Sequence, residues 1–567
     1  MLIQTLEKRE LLSSYFVSHA GNDLHDGSQE TPFASIARVN DVDLQPGDAV
    51  FFEGGASFAG TLQIKDIDSG LVSAPVRIGS YGVGKATIDA GDLPGILAIN
   101  AAGVEISNLN VVGTGQSPAT YSGIEFRNTL PGDVKLEHVR ITNVEVKGFG
   151  DYGIEIIGTA DKSGFRDVRI EYVNIHHNTH GGISSTGLWD NTSTQYAHEN
   201  IYVGHAEVWG NTGWAGSPNH SGSGIVLADI QNVTIERSEA YKNGEDNTHV
   251  GGPVGIWVWD VDQAMIRHNE SHHNLTNSTA DGGGFDFDGG VTNSVMEYNY
   301  SHHNAGAGYG IYQFGGARPF YNNHIRYNLS VDDGRRNSYG AFDFWNGNGG
   351  NGIRDTHVYN NMAYVSPSVE EVTTTTTNRK GQTTTTTSIV KLGDPRALRF
   401  ISSTVDVTLR NNIFQTTGDV MLAQIDAKQT NLKMQGNNWW SSGGTFKVKV
   451  FAKTYTSFNA YVSGTGHEKV GTTVVGRSVD PKMESPTVVP TIGVANIDSL
   501  ETRLNNFKLR SDSPLGFSQN AGLNLSIYTY SNSRDVAPFI TEPARDFYGN
   551  LLPGDDGVYT IGAYDFV

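Results

Sequence analysis

The sequence contains no cysteine and little proline, and it is short of positive charge. Without a single Cys among 567 residues, disulfide bridges, thiolate metal sites and cysteine nucleophiles are excluded. Lys and Arg total 40 against 60 Asp and Glu, for a formal net charge of −20, and they form no basic block. Because binding a phosphate backbone requires a concentrated basic footprint, we expect no nucleic-acid partner.

Long apolar runs are also missing. No stretch approaches the roughly 18 consecutive apolar residues of a membrane-spanning helix, so we expect no membrane span, and the first residues lack the apolar stretch of a signal peptide. Glycine, by contrast, is abundant at 68 residues. A repeat protein buries its core only between neighbouring repeats, so internal repeats are the first feature to seek in such a polar, glycine-rich chain.

Short apolar-x-x-Asn stretches recur along the chain at intervals of about thirty residues. The equivalent positions are Ile106, Val139, Ile170, Ile201, Ile235, Ile266, Met296, Ile325 and Val358. The segments alternate with a period of two and end at Gly and Asn, which favours stacked β-coils. Asn269, Asn299, Asn328 and Asn361 share one phase, and stacking them ~4.8 Å apart would let each amide bond the next in an asparagine ladder.

Threonine runs interrupt the repeat. Residues 373–377 and 383–387 are all Thr and flank a polar segment at 378–382, and β-branched runs around a polar turn predict a projecting hairpin within residues 366–392. Disorder or O-glycosylation is the alternative.

The fold class that these patterns predict is all-β, a single-stranded parallel β-helix of about 10–12 coils. Atypical sequence at both ends predicts caps, which cover the otherwise open edges of the first and last coils. The predicted organisation is an N-terminal tail at 1–14, the β-helix at 15–445 and a C-terminal capping segment at 446–567.

Side chains at one phase of stacked coils form straight stripes, alternately inward and outward. Anchoring each strand on its leading glycine places four residues inward: Ile225, Ile256, Phe285 and Ile311. The outward pairs of three successive coils are then Trp257 with Trp259, Asp286 with Asp288, and Tyr312 with Phe314. Paired aromatic residues facing water are costly unless something covers them, so we predict that this stripe binds a ligand.

The run from Asp281 to Gly290 contains the sharpest acidic cluster. Asp286 and Asp288 share a strand face with Cα atoms ~6.5–7 Å apart, compatible with the ~6.5–9.5 Å between the two carboxyl groups of an inverting glycosidase. One would donate a proton, its pKa raised by its like-charged neighbour, and the other would act as the base. The alternatives are a Ca²⁺ site that uses Asp281, Asp286 and Asp288, or a purely structural turn.

Asp343 is a third catalytic candidate, and two alignments are open for its strand. Anchored on Gly340 it points inward, whereas anchored on Phe342 it matches Asp286, and Trp345 then matches Asp288 and joins the binding residues. A buried unpaired Asp is costly, which favours the second alignment.

Basic residues and histidines supply further candidates. Arg318 follows the strand beside the Asp pair and could bind an acidic sugar, although an ordinary solvated charge is the alternative. His180 and His220 lie in glycine-rich loops and are predicted to contact substrate. The pairs His272-His273 and His302-His303 precede Asn in successive coils, and since adjacent strand residues face opposite sides, a stacking or turn role is favoured over a metal site.

Several segments together resemble the right-handed parallel β-helix (pectate-lyase-like) superfamily of extracellular carbohydrate-active proteins. They are the repeat, the start at Tyr15-Phe16-Val17-Ser18, the acidic run at 281–290 and the ending at Ile561-Gly562-Ala563-Tyr564. Residues 6–13 partly resemble the LEPRxLL-type motif of planctomycete surface proteins. The resemblance implies right-handed coils, a polysaccharide or oligosaccharide partner and an extracellular or cell-surface location, but not the reaction, since one fold hosts many activities.

Three functions follow as hypotheses. The first is a secreted glycoside hydrolase that requires no cofactor and uses the carboxylate pair in a groove on the outside of the β-helix. The second is a Ca²⁺-dependent lyase or epimerase that acts on a uronic-acid polymer. The third is a non-catalytic, glycan-binding surface or adhesive protein.

Overall fold

The structure is a computed structural model that describes residues 13–115, 121–377, 383–515, 522–525, 545–551 and 561–563. The motif at residues 6–13 falls almost entirely outside the described residues, as do the tip of the threonine hairpin at 378–382 and Tyr564. The chain divides into two compact units, Met1–Asn178 with Ser185–Leu188 and Ala197–Tyr202, and Thr179–Ser184 with Trp189–Tyr196 and Val203–Val567.

The first unit consists of parallel β-coils. Ile124 lies opposite Ile96 on one neighbouring strand and Ile154 on the other, and all three are fully buried, as the period of two predicts. One short helix, Ile36–Asn40, begins where the Ser35 hydroxyl accepts the N–H of Arg38. The strands are Ser14–Val17, Ala49–Glu53, Ser57–Ala59, Leu62–Ile64, Val76–Tyr81, Ala86–Gly91, Ile96–Ile99, Val104–Ser107, Leu109–Gly113, Ile124–Asn128, Lys135–Thr142, Glu145–Lys147, Tyr152–Gly158, Gly164–Glu171 and Asn174–His176.

The second unit has the same kind of parallel β-coils, with longer strands and more aromatic residues. Two strands contain residues of both units, Gly181–Thr186 and His198–Gly204. The other strands are Glu207–Trp209, Ser223–Glu236, Glu239–Tyr241, Val254–Arg267, Glu270–His272, Gly283–Asp288, Val295–Glu297, Tyr300–His302, Tyr309–Gln313, Asn323–Arg326, Leu329–Val331, Gly340–Asn346, Arg354–Tyr359, Met362–Val365, Val369–Thr377, Thr383–Lys391, Arg396–Phe400, Val405–Arg410, Ile413–Thr417, Met421–Ile425, Lys433–Gln435, Asn438–Ser442, Val448–Val450, Lys453–Tyr455, Lys469–Val470 and Thr473–Val474. Its α-helices are Phe458–Thr465 and Leu500–Arg503.

The core of the second unit is a set of inward rows that cross the coils. Phe285, Tyr309 and Phe342 occupy one row, and their rings stack with centroids 5.3 and 5.1 Å apart. Ile311 is fully buried, as predicted, but it lies opposite Phe287 and not opposite Phe285. Gly308 immediately precedes strand Tyr309–Gln313. Gly310, on which the sequence prediction anchored the strand, lies inside the strand.

The predicted asparagine ladder is confirmed. The side-chain amides of Asn269, Asn299 and Asn328 each donate to the Oδ1 atom of the next residue in the ladder, at 3.0–3.1 Å. The ladder continues through Asn361, Asn412 and Asn437 and ends on the Glu468 carboxylate. Burial raises the pKa of Glu468 to about 7.

The histidine pairs form stacks, as predicted. The rings of His272 and His302 stack at 4.7 Å, and those of His273 and His303 stack at 5.1 Å. The second residue of each pair has a left-handed backbone, with φ of 53° and 54°, so each pair turns the chain.

The threonine runs form the predicted hairpin. Strands Val369–Thr377 and Thr383–Lys391 pair antiparallel, with Thr373 opposite Thr387, and all their residues are exposed.

The C-terminal segment does more than cover the last coil. Parallel pairing extends to Val448–Val450, just beyond the predicted boundary at residue 445. Further along the chain, Leu500, Leu504 and Phe507 pack into one apolar cluster with Tyr300 and Leu329 of the coils. Within the described ranges, no helix has the length and apolarity that crossing a bilayer requires.

Candidate active site

Two outward rows of the second unit bring the predicted residues together. In the first row Trp257 lies opposite Asp286, Asp286 opposite Gly310, and Gly310 opposite Asp343. In the second row Trp259 lies opposite Asp288, and Tyr312 lies opposite Trp345. The coil stacking that the sequence implied therefore assembles aromatic and acidic side chains on one wall.

The register of strand Tyr309–Gln313 differs from the prediction by two residues. Asp286 faces Gly310 instead of Tyr312, because Tyr309 rather than Ile311 fills the inward position beside Phe285. The Tyr309 hydroxyl is held by the carbonyls of Asn299 and Leu329, at 2.7 and 3.0 Å. A shift of two residues keeps the same face, so Tyr312 remains at the site. Phe314 follows the strand, with its ring 6.2 Å from that of Trp259.

The second alignment of Asp343 is the correct one. Its carboxylate is bound by the Arg399 guanidinium, with Nη2 to Oδ1 at 3.0 Å, and by the Gly340 N–H at 2.8 Å. Both oxygens are therefore occupied, which favours a structural role over proton transfer.

The predicted stripe forms the floor of a partly open cavity of about 610 Å³. Trp257, Asp286 and Tyr312 are only 5%, 3% and 8% exposed, because loops that carry His220, His249 and Asp281 rise around them. The cavity is lined by Asn219, His220, His249, Val250, Gly251, Gly252, Val254, Trp257, Trp259, Ala280, Asp281, Asp286, Asp288, Tyr312, Phe314, Tyr339, Trp345, Arg399 and Ile401.

The three acids of the cavity have different pKa values. Burial raises the pKa of Asp288 to about 6, and a hydrogen bond from the Gly289 N–H opposes this rise. Burial also raises the pKa of Asp281 to about 7, opposed by the N–H of Gly252 and reinforced by the charge of Asp288. For Asp286, burial and then the neighbouring carboxylates, Asp288 first, raise the pKa well above its ordinary value.

Three buried polar atoms of cavity residues have no hydrogen-bond partner among the described residues. They are Oδ1 of Asp286, the hydroxyl of Tyr312 and Nδ1 of His220. Buried polar groups are normally satisfied by the protein or by something bound to it. These three atoms are therefore candidates for ligand contacts.

His220 lies in the cavity wall, and His180 lies behind it. The His220 ring meets Trp257 edge-on at 5.1 Å, and burial lowers the pKa of His220 to about 3. The Nε2 atom of His180 is 3.1 Å from the carbonyl oxygen of His220. The prediction that His180 contacts substrate is corrected, because its ring supports the His220 loop and does not line the cavity.

Arg318, which the sequence suggested as a residue that binds an acidic sugar, lies away from the cavity. It is 4% exposed, its Nε lies 3.1 Å from Asp260 Oδ1, and its guanidinium covers the Tyr196 ring at 4.6 Å. It also donates to the backbone carbonyls of Asp190 and Gln195. It therefore holds a distant loop to the coils and does not face the cavity.

The sequence reasoning missed Arg399, Tyr339 and His249. Arg399 lies one coil beyond Asp343, but the threonine hairpin separates them in sequence and breaks the thirty-residue spacing. The signal was present in strand Arg396–Phe400, where Leu398 and Phe400 alternate with outward residues.

A three-carboxylate Ca²⁺ site does not fit this arrangement. Among the described residues, the groups of three whose ligand atoms lie within 4.8 Å of one another are His272, His273 and His302, and Glu239, Glu270 and His272. Asp281, Asp286 and Asp288 do not form such a group. Since Ca²⁺ needs six to eight oxygen ligands at about 2.3–2.6 Å, these residues do not converge as its ligands.

Comparison with known proteins extends the description of the fold. Residues 132–328 match the family described as the right-handed beta helix region. Among solved structures, the GH136 lacto-N-biosidase from Eubacterium ramulus is 20% identical over 62% of this chain, with a TM-score of 0.47. This chain spans 64% of the length of that lacto-N-biosidase.

Pectate lyase Pel9A is 13% identical over 98% of this chain and 96% of its own, with a TM-score of 0.39. An alginate lyase from Paenibacillus sp. str. FPU-7 is 12% identical over 74% of this chain and 98% of its own, with a TM-score of 0.28. No protein with a curated description matches the sequence.

Proposed function

We propose that the protein is a glycoside hydrolase that binds part of a polysaccharide or oligosaccharide in the cavity and cleaves a glycosidic bond there. The observation that carries the proposal is the set of three acids, Asp281, Asp286 and Asp288, whose different pKa values coexist within one aromatic cavity. Carboxyl groups whose surroundings separate their pKa values are what acid–base cleavage of a glycosidic bond requires.

The order of the pKa values assigns the roles. Asp288 has the lowest pKa of the three, about 6, so near pH 7 it is the carboxylate that activates water or attacks the anomeric carbon. Asp286 retains its proton and Asp281 titrates near 7, so either can protonate the leaving oxygen. As the C–O bond breaks, that proton passes to the leaving group, and water supplies the new hydroxyl group.

The aromatic walls suit a carbohydrate. The indole rings of Trp257, Trp259 and Trp345 line the cavity, and flat rings pack against the apolar faces of sugar rings. The unpartnered atoms of Asp286 and Tyr312 are placed to bond sugar hydroxyl groups. Because polymeric glycans are found outside cells, we also propose an extracellular or cell-surface site of action.

The test is release of reducing ends from a broad glycan panel by the wild type and by Asp281→Asn, Asp286→Asn and Asp288→Asn. We expect Asp288→Asn to lose about a thousandfold or more in kcat/KM, at the upper end of what proton transfer contributes, with its thermal unfolding unchanged. Asp419→Asn, at a side chain that is 82% exposed, is the matched control. Wild-type activity in both Asp286→Asn and Asp288→Asn would rule out the proposal, whereas glycan binding without any cleavage would favour a binding protein.

A further inference from the structure

Arg399 is the one Lys or Arg side chain, among the described residues, that lines the cavity. Its charge is already matched by bidentate contact with Asp343. Its remaining amino group donates to the carbonyl of Ser338 at 3.1 Å, and the guanidinium lies 4.4 Å from the centre of the Tyr339 ring. An anionic ligand would therefore have to compete with Asp343 for this cation.

The two histidines of the cavity, His220 and His249, are both constrained by their surroundings. Burial keeps His220 neutral by lowering its pKa to about 3. In His249 the Nδ1 atom accepts the N–H of Gly251 at 3.0 Å, so this nitrogen is already engaged by the backbone. The buried His220 ring therefore cannot act as a cationic partner for a carboxylate or sulfate.

The acids of the cavity make its field negative. Near pH 7 Asp288 is ionised, and its charge raises the pKa values of both Asp281 and Asp286. A uronate or sulfate group would add a further like charge in a largely buried space, where such charges are poorly screened. The unpartnered Asp286 Oδ1 and Tyr312 hydroxyl instead match hydroxyl or ammonium donors.

We infer that the sugar unit bound in the cavity is uncharged, or carries a protonated amino group, and that uronic and sulfated sugars are excluded. This inference rests on the proposed function for the statement that the ligand is a carbohydrate. It adds the charge class of the substrate and names the Asp343–Arg399 pair as the determinant of that class. With Asp343 in place, Arg399 maintains the wall of the cavity and is not available to a ligand.

The experiment begins with a glycan array that presents neutral, amino, uronic and sulfated glycans to the full chain. The tightest ligand is then compared by titration calorimetry with the same oligosaccharide after oxidation of its C6 hydroxyl groups to carboxylates. We expect array binding to be confined to neutral and amino glycans, and the oxidised form of the ligand to bind roughly tenfold or more weakly. Preference for uronic or sulfated glycans, or equal binding of the oxidised form, would overturn the inference while leaving the hydrolase proposal intact.

The variant Asp343→Asn tests the determinant directly. Removing this carboxylate charge frees Arg399. The ratio of the dissociation constants of the oxidised and neutral ligands, which is the penalty on the oxidised ligand, should therefore shrink by about tenfold, while the neutral ligand binds as before. Asp419→Asn removes an exposed carboxylate paired with Lys447 and should leave the penalty unchanged.

If folded Asp343→Asn discriminates against the oxidised ligand as strongly as the wild type does, the Asp343–Arg399 pair does not determine the charge class. Should this variant not fold, the array and the oxidised ligand still test the charge class on the wild type. Absence of binding to every glycan on the array would overturn the proposed function and this inference together.

Discussion

Asp286 lies directly opposite Gly310 on the neighbouring strand, and the absence of a side chain at this glycine gives the acid its place. A Cβ atom at position 310 would lie 2.7 Å from Cε2 of Tyr312 and 2.9 Å from Oδ1 of Asp286. Both atoms belong to side chains that line the cavity. The glycine thus allows an acid and a phenol ring to approach each other from adjacent coils.

Replacing Gly310 by Ala should therefore displace Asp286 or Tyr312. We expect kcat/KM to fall by about tenfold to a hundredfold, because misplacement of a reacting group by about 1 Å has effects of this size. Gly315→Ala is the control, since its nearest heavy atom to a built Cβ lies 3.4 Å away. Unchanged kinetics in Gly310→Ala would show that this close approach does not position the acids.

The pH dependence of kcat/KM should be bell-shaped with its maximum between about 6 and 7. Activity requires ionised Asp288, whose pKa is about 6, so the rate falls as the pH drops below that value. It also requires a protonated donor, and if Asp281 is the donor, its pKa of about 7 sets the alkaline limb. In Asp281→Asn an alkaline limb that remains would assign the donor to Asp286, and a profile without an acid limb would contradict the role of Asp288.

Glu468 should make the protein less stable as the pH rises. Its pKa is raised from 4.5 to about 7, so the folded state binds its proton more tightly than the unfolded chain does. The stabilisation is complete below pH 4.5 and is lost as the pH rises through about 7, with a total of about 3 kcal/mol. Urea unfolding measures the free energy of unfolding at pH 4.5 and at pH 7. Between these pH values the free energy of unfolding should fall less in Glu468→Gln than in the wild type, whereas Glu484→Gln, at an exposed residue, should behave like the wild type. The prediction is contradicted if the free energy of unfolding falls with pH as steeply in Glu468→Gln as in the wild type.

Removal of the threonine hairpin should be tolerated. The N–H of Leu392 donates to the carbonyl of Ser368 at 3.0 Å, so a short glycine linker can replace residues 369–391. Because every residue of the two strands is exposed, we expect the midpoint of thermal unfolding to change by no more than about 2 °C, as for a change of a few tenths of a kcal/mol. Activity should also persist, and its loss would place the hairpin among the substrate-binding elements.

The sequence by itself determined the β-coils, the asparagine ladder and the identity of the site wall. These features depend on alternation within a strand and on the distance between equivalent coils, and both can be read along the chain. Trp257, Trp259, Asp286 and Asp288 were correctly paired for this reason. Asp343 was also placed correctly, because burying an unpaired carboxylate is costly.

Only the tertiary structure decided which residues of a coil face each other where loops differ in length, and what covers the wall. The two-residue shift at Tyr309–Gln313 follows from the packing of the Tyr309 ring between Phe285 and Phe342. Arg318 reaches backbone carbonyls more than a hundred residues away, and the loops that carry His220 and His249 line the cavity beside Asp286. A periodic pattern records contacts between successive coils, but it carries no information on where loops and long side chains fold back, because those contacts have no fixed spacing.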